Sequence, residues 1–170
     1  MIPLNEKSTS EKTVILSEEQ FWAISKIISS LKGKLNSRLV VFGDMDGQLI
    51  SKDGEIPGLD ITVFTALMAG DFSATKEIAR IMGSKNEFKL HYHEGTHQHL
   101  YVAAVGGQFF LAVIFDPSVT LGMVRIFTKK TIEKINKIVE AQSTEEEQIT
   151  QMIDSEFKSL VKNDLNKILG

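Results

Sequence analysis

A mixed α/β fold of the α+β type is predicted: a five-stranded, mostly antiparallel sheet sandwiched by helices, in the order α-β-β-α-β-β-β-α plus a C-terminal helix. Two observations carry this. Strand-like runs come in groups separated by short turn signals, and hairpin-linked neighbours pair antiparallel. The segments before, between and after those groups place apolar residues at three-and-four spacing, as helices lying on a sheet do.

Residues 1–12 are polar and read as a loosely ordered tail. Ser17-Glu18-Glu19-Gln20 is a capping box, so a helix starts there, burying Phe21, Ile24, Ile27, Ile28 and Leu31 and ending with Gly33 in the left-handed C-terminal position. Residues 39–43 are apolar and β-branched, Asp44-Met45-Asp46-Gly47 is turn chemistry, and residues 48–51 resume an extended pattern, which together read as a hairpin. Residues 52–58 hold two Gly and one Pro and read as a loop. Asp60 caps a second helix over 61–82, closed by Gly83.

That second helix is apolar around most of its circumference, so it must bury two faces. One lies on the sheet. Ala66, Ala69, Gly70 and Ala74 allow close approach of another helix, and in a chain this small an identical subunit supplies it, with Val63, Phe64, Leu67 and Met68 as the predicted seam. The alternative is a central helix wholly inside one subunit.

Strands are predicted over 87–93, 98–105 and 108–115, with Gly106-Gly107 as a two-residue hairpin between the last two. Asp116-Pro117 ends the third, and a helix follows from about 119 or 121 to 141. Residues 142–147 read as a polar, acidic break. Ile149, Met152, Ile153, Phe157, Leu160, Val161, Leu165, Ile168 and Leu169 then describe a fourth, amphipathic helix. The chain divides into a tail (1–16), a domain (17–141) and a C-terminal amphipathic helix (142–170).

Composition narrows the function. The absence of Cys removes disulfides, thiolate metal sites and Cys nucleophiles, and fits a reducing, cytoplasmic setting. A net charge of -3 argues against nucleic acid as a partner, and no apolar run approaches the roughly 20 residues of a membrane span, so no membrane association is expected. No phosphate-cradling G-x-x-x-x-G-K-[ST] stretch occurs, and Asp53 and Glu55 face no nucleophile, so no catalytic residue is assigned. Asp44, Asp46 and Gly47 lack the remaining ligand spacing of a calcium loop and read as a turn.

The element order, the strand-turn-strand VVFGDMDGQLIS, the apolar second helix, and the run LYVAAVGGQFFLAVIFDPSVTLGMVR resemble the roadblock family of dynein light chains, and in particular its prokaryotic Mgl-type branch of small-GTPase regulators. The likeness covers residues 17–141. It implies a sheet with the second helix on one face and the first and third on the other. It also implies pairing of two subunits through the second helix and the third strand. The family's members are non-enzymatic adaptors, and the Mgl-type proteins act as GTPase-activating partners of a Ras-like small GTPase. The chain is thus expected to be a homodimeric adaptor that binds and regulates such a GTPase. Arg38, Arg80 and Arg125 sit at predicted element ends rather than on long loops, so reshaping of the GTPase's switch loops is the expected means, not an arginine finger.

Two features lie outside that resemblance. If residues 94–96 form the turn, His93 faces His97 and His91 faces His99, putting four imidazoles on one face, where they would hold a divalent metal, respond to pH at the subunit contact, or have no special role. The C-terminal helix either packs on its own domain or docks a partner protein through Ile153, Phe157 and Leu160. The rival functions are accordingly a metal- or pH-responsive scaffold and a structural subunit of a larger complex.

Overall fold

The computed structural model describes residues 14–83 and 87–169. The elements are α1 (Glu18–Leu35), β1 (Leu39–Asp44), β2 (Leu49–Gly54), α2 (Ile61–Ile81), β3 (Leu90–Glu94), β4 (His99–Val105), β5 (Phe109–Phe115) and α3 (Leu121–Leu169). The five strands form one sheet in the order β2-β1-β5-β4-β3, and every neighbouring pair is antiparallel. Central β5 is buried along its whole length, because helices cover both faces.

One layer comprises α1 and the first part of α3. Ile24, Ile28, Leu31 and Leu35 of α1 and Val124 and Ile135 of α3 meet Phe42, Tyr101, Leu111, Val113 and Phe115. The opposite layer is α2, whose Phe72 packs with Val41, Val102, Phe110 and Ile114, flanked by Phe64 and Met68. Two cores on the two faces of one sheet follow from the period-two alternation of strand side chains.

The helix starts are those expected. Ser17 Oγ accepts from the Gln20 N–H while the Gln20 side chain accepts from the Ser17 N–H, and Asp60 accepts from the Thr62 and Val63 N–H groups. The end of α1 differs. Gly33 stays inside the helix, and Asn36 takes the left-handed position at φ 48°, because carrying the helix on to Leu35 buries that side chain in the core.

β2 runs to Gly54, so residues 52–54, expected in a loop, pair with Val41, Val40 and Leu39. Gly54 has φ +96°, and a Cβ there would lie 2.1 Å from the Arg38 carbonyl oxygen, so only glycine permits this pairing. The β4–β5 link uses three residues, 106–108, with positive φ at Gly106 alone. Residues 87–89, expected in a strand, precede β3, although the Lys89 carbonyl accepts from the Ala104 N–H of β4.

The tail expected over 1–16 lies outside the described residues up to 13. Within them, the Val14 N–H donates to Gln108 Oε1, and Val14 and Leu16 pack against the core. The break expected at 142–147 does not occur: α3 is continuous from Leu121 to Leu169. The six residues contain neither Gly nor Pro, and polarity alone does not stop a helix.

Candidate protein-interaction surface

The outer face of α2 is apolar and uncovered. Val63, Leu67, Ile78 and Ile81 are exposed, Leu67 at 62%, and Ala66, Gly70 and Ala74 lie between them on the same face. Thr65, Ala69, Phe72 and Ala79 point the other way, into the domain. The predicted seam is therefore split: Val63 and Leu67 face outward, whereas Phe64 and Met68 sit against the sheet. Adjacent helical residues lie about 100° apart, which separates the two pairs. Ile78 and Ile81, absent from the predicted seam, extend this face, and their three-and-four spacing from Ala74 carries the signal.

Beside this stripe lies the open edge of β3, which among the described residues pairs only with β4. A polar clamp ties the two together. His91 Nδ1 is 2.6 Å from Asp71 Oδ2, with the imidazole only 9% exposed and its ring 4.5 Å from that of Phe72. His93 Nε2 reaches the same carboxylate oxygen at 3.5 Å. Nothing in the sequence signals Asp71, because it and His91 are twenty residues apart and meet only once α2 lies on the sheet.

The four histidines do not converge. The observed register pairs Glu94 with His99, His93 with Leu100, Tyr92 with Tyr101 and His91 with Val102. The expected pairing is off by three residues, an odd number, which reverses the faces of one strand relative to the other. His91 and His93 thus lie under α2, His99 lies on the other face with its ring 5.4 Å from that of Phe115, and His97 is in the turn. The cause is the core: this register seats Leu90 against the α1–α3 cluster opposite Ala103. The Gly95 N–H donates to His99 Nδ1 at 3.3 Å. Among the described residues, no three His, Asp or Glu side chains are grouped to hold a metal ion.

The arginines are engaged locally. Arg38 Nε lies 3.9 Å from Asp116, and Arg80 Nε is 2.9 Å from Glu77 on the exposed side of α2. Arg125 lies near Tyr101, whose phenol is nonetheless held above its ordinary pKa because burial outweighs the nearby guanidinium. Asp116, by contrast, is held below the usual carboxylate range, chiefly by hydrogen bonds from the Ser118 hydroxyl and N–H.

The C-terminal part of α3 does not pack on its own domain. Residues 148–169 are exposed throughout, including Ile153, Phe157 and Leu160. No helix among the described residues is long and apolar enough to cross a membrane.

Comparison with known proteins agrees with this architecture. Residues 25–115 match the Roadblock/LC7 domain. MglB of Myxococcus xanthus is 36% identical with a TM-score of 0.70, over 75% of this chain and 95% of that one. The gliding protein MglB of Thermus thermophilus shares the fold at 21% identity and a TM-score of 0.67, over 76% and 97%. An uncharacterised protein of Aquifex aeolicus is 21% identical over 91% of this chain and 94% of its own length.

Proposed function

The chain belongs to the Roadblock/LC7 family, and from that premise we propose that it is a homodimeric adaptor that binds and regulates a Ras-like small GTPase without a catalytic site of its own. The observation that carries the reading is the apolar outer stripe of α2 running beside the open edge of β3. Pairing two copies there buries Val63, Leu67, Ile78 and Ile81 and satisfies the backbone groups of the edge strand, two needs met by one contact.

The regulatory half of the proposal rests on the likeness to MglB, since the Mgl-type branch acts on Ras-like switches. Arg38 and Arg80 form surface ion pairs with Asp116 and Glu77, and all three arginines sit on or next to regular elements rather than on long loops. Regulation then works by favouring one arrangement of the GTPase's switch segments, which requires unequal affinity for its nucleotide states.

The test is capture from native lysate on the immobilised protein with GDP and, in parallel, with a non-hydrolysable GTP analogue, followed by mass spectrometry. A small GTPase retained in one nucleotide state supports the proposal. Equal retention in both states, or none, overturns the regulatory half. If the protein accelerates hydrolysis, alanine at each arginine should change the rate by no more than a few fold, whereas loss of a finger removes about 10³-fold or more.

A further inference from the structure

α3 leaves the domain beyond Val139, and its outer part is an amphipathic helix with its apolar side in water. Ile149, Ile153, Phe157, Val161 and Leu165 recur at every fourth residue, and Phe157 is 67% exposed. A row with this spacing advances about 40° around the helix per step, and it is the ridge that interdigitates when two helices pack in the commonest crossing class. Helices draw most of their stability from covering such a face.

Two features of the row select its occupant. First, it is symmetric: counting outward from Phe157, Ile153 matches Val161 and Ile149 matches Leu165, so a two-fold rotation through Phe157 sets apolar side chains on apolar side chains. Second, the segment is electrically polar along its length. Residues 145–156 carry Glu145, Glu146, Glu147, Asp154 and Glu156 with no base, while residues 158–167 carry Lys158, Lys162 and Lys167 against a single Asp164. At that crossing the helices diverge away from Phe157, so the central charges are the ones that meet: laid antiparallel, Asp154 and Glu156 of each come near Lys158 and Lys162 of the other, and laid parallel like comes near like. With Phe157 at the centre, the helical angles set Asp154 of one chain on the same flank as Lys158 and Lys162 of the other.

We propose that the projecting part of α3 binds the same helix of a second copy of this chain, antiparallel, about a two-fold axis at Phe157. This contact is separate from the one proposed for α2. A chain with both has two self-complementary surfaces, and if their axes do not coincide its assembly extends beyond a dimer.

The chain has no Cys, so single-cysteine variants of the full-length protein report the contact cleanly. Antiparallel pairing brings positions 153 and 161 of opposite chains to about 6 Å between Cα atoms, within reach of a disulfide, and separates two copies of position 153 by more than about 12 Å. A mixture of Ile153→Cys chains and differently sized Val161→Cys chains, oxidised at low salt, should give the mixed cross-link at least tenfold above either self cross-link. Lys158→Glu with Lys162→Glu should lower that yield at least threefold, and adding Asp154→Lys should restore it. Self cross-linking equal to or above the mixed product shows a parallel pair and refutes the arrangement. A yield no higher than that of Ser159→Cys, on the opposite side of the helix, refutes self-pairing and leaves the face to a different protein. The experiment repeated with Leu67→Ala separates the two contacts: the cross-link should persist, and its loss refutes an independent helix pair.

Discussion

Truncation of Leu67 to alanine tests the α2 contact with a magnitude that follows from the structure. The side chain is 62% exposed in the single chain, so about that share of it remains to be buried by a partner. Leu→Ala removes three carbons, each contributing about 0.8 kcal/mol when fully buried, so the loss is about 1.5 kcal/mol per copy. A two-fold contact contains the residue twice, which brings the total to about 3 kcal/mol, or roughly a hundredfold weaker dimerisation. The stability of the single chain should hardly change, since an outward substitution shifts it by no more than about 0.5 kcal/mol. Sedimentation equilibrium across a concentration series reads the first effect, and urea unfolding well below the dimer Kd reads the second. An unchanged Kd would remove Leu67 from the interface and with it the orientation of α2 used above. A loss of stability confined to the monomer would mean that the residue supports the fold instead. Phe64→Ala supplies the contrast, because Phe64 packs against the sheet and its truncation should lower monomer stability.

Three further outcomes follow from the interior. Asp71→Ala leaves the buried His91 Nδ1 without its acceptor and should cost about 1–3 kcal/mol in urea unfolding, with Asp71→Asn less harmful because an acceptor oxygen remains. Gly54→Ala should lower the melting temperature by several degrees or prevent folding, since its Cβ meets the Arg38 carbonyl and its φ is left-handed. Tyr101 has a raised folded pKa, so its contribution is complete below the ordinary tyrosine value of about 10 and is lost as pH rises toward the folded value. Tyr101→Phe should therefore flatten the alkaline limb of stability against pH, and an unchanged limb would contradict the burial of the phenol as its cause.

Much of the architecture was legible because it depends on local chemistry. The capping box at Ser17 and the cap at Asp60 act over three residues, and the extra apolar face of α2 is visible from composition and spacing alone. The candidate surface was only half legible. Spacing marked α2 as doubly apolar, but which of Val63, Phe64, Leu67 and Met68 face the sheet depends on how the helix is rotated on Phe110 and Ile114. The end of α1 shows the same limit, since burial of Leu35 outweighs the local preference for Gly33 as its terminator.

The histidines show where local reading stops. A turn longer by one residue and a strand pulled inward to bury Leu90 moved the β3–β4 register by three, sending His91 beneath α2 to meet Asp71 and His99 to the other side. Likewise, the sequence specified an amphipathic C-terminal segment, but its packing decided that the segment continues α3 outward and leaves its apolar row uncovered. Helix caps, turn residues and hydrophobic periodicity are determined by the chain itself, because their energies act between near neighbours. Register, helix rotation and the choice of which apolar face stays open are decided only in the tertiary structure, where residues remote in sequence compete for the same interior.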